Sequence, residues 1–319
     1  MDYTDIIRFI AVAFLITLIL GPLLIPLLKR LKVGQSIREE GPKSHYIKSG
    51  TPTMGGIIMV IALLITVLTS GIRHREITIL IVATLGFGLI GFIDDFIKVV
   101  LKRSLGLKAY QKLIGQVILA VILAVYQSRV SVIGTELIVP FFNMNIDLGI
   151  MYIPFVAFVT VAVVNSANLT DGLDGLASGV TLIILSFFSL IALNMEMPNV
   201  AMFSAALAGA CLGFLRFNSY PAKVFMGDTG SMALGGAVAG ISILLNLSLI
   251  IPIVCGIYFA EAISVIIQVI SFKLFGKRVF LMSPLHHHFE YKGWKETKIV
   301  VVFWSVTLIL CLVGIYSIR

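Results

Sequence analysis

The chain has 319 residues, of which 59% are hydrophobic and only 13% are charged. Soluble domains contain roughly 45–50% apolar and about 25% charged residues, so this composition excludes an ordinary soluble enzyme, a disordered chain and a fibrous repeat. The net charge of +8 is compatible with nucleic-acid binding, but Lys and Arg in a membrane protein first of all set its orientation. We therefore expect an all-α integral membrane protein, a single polytopic domain over 1–319, with no nucleic-acid partner.

Ten apolar runs have about the length that crosses a bilayer as a helix. In chain order they cover 4–28, 54–70, 77–93, 113–128, 149–167, 175–193, 200–215, 231–246, 250–272 and 299–318. The stretch from 231 to 272 is too long for one span, and its interruptions at Asn246 and Pro252 divide it into two. Between the fourth and fifth runs, the segments 136–141 and 143–147 predict a small hairpin outside the membrane.

Positive charges are distributed unevenly between the two sides of this bundle. Alternate loops, beginning with 29–53, carry 19 of the Lys and Arg residues, whereas the opposite side carries five. Cytoplasmic loops of membrane proteins hold the excess of Lys and Arg. The sequence therefore predicts that these loops are cytoplasmic and that both termini are extracytoplasmic.

Five aspartates lie at the predicted cytoplasmic ends of apolar runs: Asp94, Asp95, Asp171, Asp174 and Asp228. A carboxylate at the bilayer centre costs about 2.5–3.5 kcal/mol, so five of them at one face need a compensating cation. Oxygen ligands of this kind suit Mg²⁺. The adjacent Asp94 and Asp95 fit a general base or metal ligands, or else a solvated helix end that pairs with Lys98.

Polar side chains recur at every third residue from Asn165 through Asn168 and Asp171 to Asp174. In a helix or a tight turn, this spacing places them along one stripe that can contact an extended polar ligand. The alternative is that Asp171 and Asp174 cap the next helix.

Three successive histidines, His286, His287 and His288, follow a Ser-Pro pair in the loop 273–298. Neighbouring helix positions point about 100° apart, so the three cannot all ligate one ion, although one or two can face a cleft. Phosphate contact or proton handling is therefore favoured over zinc. Glu261 lies within an apolar run and outside the cytoplasmic cluster, and we expect it to form a structural hydrogen bond between helices.

Together these residues resemble the polyprenyl-phosphate N-acetylhexosamine-1-phosphate transferase superfamily, in particular its branch that uses phospho-MurNAc-pentapeptide. The resemblance covers essentially the whole chain. It rests on Pro52-Thr-Met-Gly-Gly56, Asp94-Asp95 with Lys98, the Asn168…Asp171…Asp174 motif, the segment from Asn218 to Ser231, and Pro284-Leu-His-His-His-Phe289. The last motif separates this branch from relatives that use other sugars.

The resemblance implies ten transmembrane helices, a homodimer in the bacterial cell membrane, a cytoplasmic cleft and Mg²⁺. It implies transfer of phospho-MurNAc-pentapeptide from the UDP-linked precursor to undecaprenyl phosphate, which gives lipid I and UMP. This is the first membrane step of peptidoglycan synthesis, and through it of cell wall biogenesis, cell shape and division.

The resemblance also implies roles for individual residues. Asp228 would be the Mg²⁺ ligand, and Asp94 or Asp95 would act on the lipid phosphate. The implied catalytic residues are Asp94, Asp95, Lys98, Lys112, Asp228 and His286. The implied substrate-binding residues are Lys48, Thr53, Asn168, Asp171, Asp174, Asn218, Phe225, His287 and His288. Uracil would stack on Phe225.

Two other functions remain as alternatives. A GlcNAc-1-phosphate transferase would act on the same lipid with a similar set of carboxylates. An ion-coupled transporter also places carboxylates in the membrane, although these cluster at one face and the sequence contains no visible inverted repeat. The residues are compatible both with direct attack by the lipid phosphate and with an Asp-phosphosugar intermediate.

Overall fold

The computed structural model describes residues 2–30, 50–99, 101, 106–130, 134–142 and 144–318. Its helices are α1 (Tyr3–Arg30), α2 (Gly56–Thr69), α3 (Arg75–Val99), α4 (Ala109–Val130), α5 (Tyr152–Thr170), α6 (Leu176–Asn194), α7 (Pro198–Asn218), α8 (Gly227–Leu244), α9 (Ile251–Val254), α10 (Gly256–Phe275), α11 (Leu285–Tyr291) and α12 (Glu296–Ser317). Two strands, β1 (Glu136–Val139) and β2 (Met144–Asp147), and a 3₁₀ turn (Gly149–Met151) lie between α4 and α5.

Eight helices within the described ranges are long and apolar enough to cross a membrane: α1, α3, α4, α5 with its preceding 3₁₀ turn, α6, α7, α10 and α12. Helix α2 is apolar but has only 14 residues, and α8 begins with a polar, glycine-rich turn. Each predicted run coincides with helical structure, and the all-α membrane-type fold is confirmed. That ten segments cross the bilayer stays a prediction.

The predicted division of the stretch from 231 to 272 is confirmed, but the chain turns at two places. Helix α8 ends at Leu244, and Asn246 then adopts a φ of +55°, a left-handed conformation that Asn adopts more readily than most residues. Pro252 lies in the first turn of α9, where backbone N–H groups have no partner within the helix, so proline is tolerated there. Because the helix is interrupted again at Cys255, the predicted run 250–272 is two helices.

The predicted hairpin is confirmed as an antiparallel pair, with Glu136 opposite Asp147 at its open end. Its backbone is joined to the helices beneath it. The N–H of Ile138 donates to the carbonyl of Asn246 at 3.1 Å, and the N–H of Phe141 donates to the carbonyl of Ser317 at 2.7 Å. These bonds connect the hairpin to the ends of α8 and α12.

Helices α3 and α8 approach each other closely because small residues occupy their contact. A Cβ on Gly91 would overlap the backbone carbonyl of Asp228, and a Cβ on Gly88 would lie 3.0 Å from that of Ala233. Small residues allow membrane helices to come together in this way. The contact brings the last turns of α3 beside the first turn of α8.

Candidate active site

Three carboxylates meet where α3 and α8 come together. Asp94 and Asp95 belong to α3, and Asp228 belongs to the first turn of α8, which begins earlier than the predicted run. One oxygen of each lies within 4.8 Å of the others. Asp94 and Asp95 are almost completely buried, whereas the Asp228 side chain keeps 17% of its exposure. The cluster is therefore accessible through Asp228.

Two lysines neutralise part of this negative charge. Lys98 Nζ lies 2.5 Å from Asp94 Oδ2 and 3.0 Å from Asp228 Oδ2. Lys112 Nζ, from α4, lies 2.9 Å and 2.6 Å from the same two oxygens. Ammonium groups at these distances offset the negative charge of the carboxylates. The alternative of a solvated helix end is wrong, because Asp94 and Asp95 are buried and the partners come from three helices.

Asp95 has different partners from Asp94. It accepts hydrogen bonds from the backbone N–H groups of Asp228, at 3.2 Å, and Thr229, at 2.9 Å, and from the Thr229 hydroxyl at 2.7 Å. The first N–H groups of a helix lack partners within the helix, and a carboxylate there also interacts favourably with the helix dipole. Asp95 therefore holds the N-terminus of α8, while Asp94 faces the lysines.

Only part of the predicted polar stripe reaches this cluster. Asn168 Nδ2 donates to Asp228 Oδ1 at 3.0 Å and to Ser231 Oγ at 2.9 Å. Asn165, one turn earlier, donates instead to Gln116 Oε1 of α4 at 2.6 Å. The prediction of one continuous stripe is therefore wrong at Asn165, because α5 directs this side chain towards α4.

The carboxylate triad fits a divalent cation in its chemistry. Each of the three groups can offer one oxygen, and hard cations such as Mg²⁺ prefer such ligands. Within the described ranges, however, Asp228 Oδ2 already contacts both lysines and Asp228 Oδ1 accepts from Asn168. A cation at this position would share Asp228 with these partners or displace them.

Asp171 and Asp174 lie in the turn between α5 and α6. Asp174 is buried, and its Oδ2 accepts the N–H of Ala222 at 2.9 Å. Burial, followed by the negative charges of Asp228 and Asp95, raises the pKa of the Asp171 carboxyl group to about 8. We therefore expect Asp171 to be largely protonated at neutral pH in the metal-free protein, and in that form it can donate a hydrogen bond.

This raised pKa makes the stability of the metal-free protein depend on pH. A carboxyl group with a higher pKa in the folded chain binds its proton more tightly there, so its contribution to stability declines as pH rises from 3.8 through about 8. Asp171→Asn removes this titration. Thermal unfolding followed over that range should show a steeper decline for the unmodified protein than for the variant. Parallel profiles would contradict the raised pKa.

Asn218, buried at the end of α7, connects two loops of the site. Its Oδ1 accepts the N–H of Gly175 at 3.1 Å and the hydroxyl of Ser178 at 3.0 Å, and its Nδ2 donates to the carbonyl of Val224 at 3.0 Å. These bonds hold the turn after α5 against the segment before α8. Its predicted contact with the nucleoside stays a prediction, and the structure adds a positioning role.

The segment around Thr53 lies against the residues that lead into α8. The N–H of Phe225 donates to the carbonyl of Pro52 at 2.8 Å. The Thr53 hydroxyl is buried and lacks a hydrogen-bond partner in the described part of the chain. Gly227 has a φ of +75°, and a Cβ on it would come within 2.8 Å of Thr53 Oγ1, so only glycine fits between them. Lys48 lies outside the described residues.

The three histidines belong to α11 and have three separate partners. His286 is buried, with Nδ1 3.0 Å from Glu261 Oε1. His287 Nδ1 lies 2.7 Å from Glu290 Oε2, and His288 Nδ1 accepts a backbone N–H. Their different directions agree with the prediction that they do not share one ion.

The prediction that Glu261 forms a hydrogen bond between helices is confirmed. Its buried carboxylate on α10 contacts His286 on α11 directly. An ionisable side chain in an apolar run was itself a signal of function. Its partner was not visible in the sequence, because that depends on the direction of α10 after the interruption at Cys255.

Comparison with known proteins agrees with this geometry. The profile of glycosyl transferase family 4 matches residues 77–246, and phospho-N-acetylmuramoyl-pentapeptide-transferase signature 1 matches residues 48–60. A phospho-N-acetylmuramoyl-pentapeptide-transferase of Alkaliphilus metalliredigens is 65% identical, over 99% of this chain and 99% of its own length. Those of Alkaliphilus oremlandii and Clostridioides difficile are 61% and 55% identical, over 100% of this chain and 99% of their own lengths.

The chain belongs to the phospho-N-acetylmuramoyl-pentapeptide-transferase family. This membership confirms the resemblance found from the motifs and excludes the ion-coupled transporter. The part matched by glycosyl transferase family 4 contains the whole carboxylate–lysine cluster, and the transferase signature contains Thr53. The family match therefore covers the two segments that the structure places side by side.

Proposed function

We propose that the protein transfers phospho-MurNAc-pentapeptide from its UDP-linked precursor to undecaprenyl phosphate, which yields lipid I and UMP in peptidoglycan synthesis. The observation that carries this proposal is the cluster of Asp94, Asp228, Lys98 and Lys112 within a chain of this family. Phosphoryl transfer depends on positioning and on neutralisation of oxygen charge more than on covalent chemistry from the protein. A cluster of carboxylate and ammonium groups at the ends of membrane helices suits this reaction, because the acceptor phosphate is anchored in lipid and the donor diphosphate arrives from water.

In the proposed reaction, an oxygen of the lipid phosphate bonds to the phosphorus that carries the sugar. The bond from that phosphorus to the bridging oxygen breaks, and this oxygen leaves with its electron pair as part of UMP. Lys98 and Lys112 would neutralise the charge that develops on the phosphate oxygens. Because Asp94 Oδ2 contacts both lysines, Asp94 is favoured as the carboxylate that acts on the lipid phosphate.

We propose Mg²⁺ as the cofactor, with Asp228 as its ligand and Asp94 and Asp95 close by. Support comes from the three carboxylate oxygens that can approach one ion, and from the partial exposure of Asp228. When bound, Mg²⁺ would neutralise diphosphate oxygens and help to orient the donor.

The remaining site residues are proposed to bind substrate. Those assigned to the nucleoside and diphosphate are Lys48, Thr53, Asn168, Asp171, Asp174, Asn218 and Phe225, with uracil stacked on Phe225. His286 is assigned a catalytic role, and His287 and His288 are assigned to substrate binding. The pairing of the Thr53 segment with the Phe225 segment, directly before Asp228, supports a common site.

We further propose that the protein lies in the bacterial cell membrane as a homodimer, with a cytoplasmic site and extracytoplasmic termini. The dimer rests on the family resemblance alone, and the orientation rests on the distribution of Lys and Arg.

Cysteine introduced at Lys277 should react only with reagents that reach the cytoplasm, and cysteine at Glu136 only with reagents added outside. Lys277 lies outside helical structure, and Glu136 lies on the hairpin. Labelling of Lys277→Cys from outside intact cells would overturn the orientation.

Turnover by the purified protein tests the proposed reaction and its donor. With undecaprenyl phosphate as acceptor, we expect UMP release from UDP-MurNAc-pentapeptide in the presence of Mg²⁺, and little release from UDP-GlcNAc. The motif with His286 carries the expected preference, because basic residues flank it on both sides and a large peptide-bearing sugar needs an open, basic rim. His286→Ala should cause a large loss of rate.

The same assay separates the alternatives. Omission of undecaprenyl phosphate provides the control for hydrolysis of the donor without transfer. Comparable turnover of the two donors would move the assignment to the GlcNAc-transferring relatives. A complete lack of Mg²⁺-dependent UMP release would refute the transferase proposal.

A further inference from the structure

The carboxylate of Glu261 is completely buried in α10 and is directed at a single residue of α11. Its Oε1 lies 3.0 Å from Nδ1 of His286. Both of its oxygens also accept the backbone N–H of His286, at 3.3 Å and 3.4 Å. The carboxylate therefore holds both the backbone and the ring of His286 in one orientation.

This geometry favours one tautomer of the His286 ring. A carboxylate in its ionised form only accepts hydrogen bonds, and Nδ1 is then the donor at 3.0 Å. In the neutral ring, Nε2 then presents a lone pair. A carboxylate in this position also stabilises the positive ring that forms when Nε2 takes up a proton.

The other ring nitrogen is directed towards the turn between α5 and α6. His286 is 1% exposed, and its Nε2 has no hydrogen-bond partner among the described residues. It lies against Gly172, where a Cβ would overlap Nε2. Gly172 directly follows Asp171, so the unpartnered nitrogen borders the turn that carries Asp171 and Asp174.

We propose that Glu261 is a positioning residue for His286: it fixes one proton on Nδ1 and leaves Nε2 as the nitrogen that takes up a second proton, so that the positive ring then donates from Nε2 to the substrate phosphates. This inference rests on the proposed function, since it assigns the substrate to the site that His286 borders. Glu261 does not itself touch the substrate in this arrangement.

A neighbouring pair on the same short helix provides a matched control. His287 Nδ1 lies 2.7 Å from Glu290 Oε2, three positions along α11. Glu290→Gln therefore removes the charge from a histidine-bound carboxylate of the same segment, and leaves the contact between Glu261 and His286 in place. Glu261→Gln makes the same chemical change at the buried pair.

Nitrogen NMR on detergent-solubilised protein labelled with ¹⁵N-histidine, with His286 assigned from its His286→Gln spectrum, measures the protonation state directly. We expect a protonated Nδ1 and an unprotonated Nε2 in the unmodified protein, and a mixture of both ring forms in Glu261→Gln. For UMP release, kcat should fall by about 10–100-fold, the loss that is typical when the partner of a metal-binding histidine is removed. The KM for the UDP-linked donor should stay close to that of the unmodified protein. Glu290→Gln should leave the ring form of His286 unchanged, and Asp2→Asn, at an exposed carboxylate, should leave kcat unchanged.

The two measurements fail separately. A proton found on Nε2 and not on Nδ1 of His286 in the unmodified protein would overturn the inference, and this result does not depend on the folding of Glu261→Gln. An unchanged ring form and unchanged kcat in Glu261→Gln would also overturn it, as would the same mixture of His286 ring forms in Glu290→Gln. Absence of UMP release from the unmodified protein would instead refute the proposed function and leave the tautomer result standing.

Discussion

Asp228→Asn should lower the rate of UMP release by about 10²–10³-fold, because it weakens binding of the cation that would neutralise the developing charge, and the loss of such electrostatic stabilisation costs ~2.7–4 kcal/mol. The amide keeps the shape of the side chain but removes its charge. Its NH₂ group would also face a donor in either orientation, because Oδ1 accepts from Asn168 and Oδ2 contacts Lys98 and Lys112. A cation at the cluster would lose its most exposed carboxylate.

Titration of UMP release with Mg²⁺ tests this expectation. The variant should need a higher Mg²⁺ concentration for its residual activity, whereas Asp2→Asn, at an exposed carboxylate near the start of α1, should behave as the unmodified protein. Near-normal turnover of Asp228→Asn at ordinary Mg²⁺ concentrations would show that Asp228 is only a turn residue.

Asp94→Asn and Asp95→Asn should have different effects although the residues are adjacent. Asp94 contacts both lysines through Oδ2, so Asp94→Asn should lower the rate while the protein still binds the UDP-linked donor. Asp95 accepts from two backbone N–H groups at the start of α8 and from a hydroxyl. Its amide would direct NH₂ at one of these donors, and loss of such a cap costs about 0.5–2 kcal/mol.

Binding of the donor and thermal unfolding distinguish the two variants. We expect Asp95→Asn to lower the unfolding temperature and to weaken donor binding, because it releases the N-terminus of α8 and with it Asp228. Asp94→Asn should retain donor binding close to that of the unmodified protein and lose mainly turnover. Equal and mild effects on rate, binding and unfolding would mean that neither carboxylate acts in the reaction.

The membrane fold and the identity of the carboxylates could be predicted because both depend on local composition. Apolar runs of helical length are recognisable without partners, and an aspartate at the end of such a run is conspicuous because its burial is unfavourable. The division near Asn246 was also local, since a polar residue and a proline interrupt the apolar pattern. The second interruption, at Cys255, could not be predicted, because no polar residue, glycine or proline stands at that position.

The pairing of the site residues could not be predicted, because it depends on how separate helices come together. Lys112 reaches Asp94 only since α4 packs beside α3 and α8, and Gly91 allows α8 to come close enough for Asp228 to join them. The spacing along α5 predicts one common stripe for Asn165 and Asn168. In the structure, however, Asn165 forms a hydrogen bond to α4 and Asn168 forms one to α8. Period and composition contain no information about these neighbours.

The two lysines have a consequence for how the protein responds to chelators. Small domains with structural metal sites unfold when the ion is removed, because metal binding supplies much of their folding free energy. Here Lys98 and Lys112 already supply built-in counter-ions for Asp94 and Asp228. We therefore expect the chain to fold without a metal ion, and treatment with EDTA to abolish UMP release reversibly without unfolding the protein.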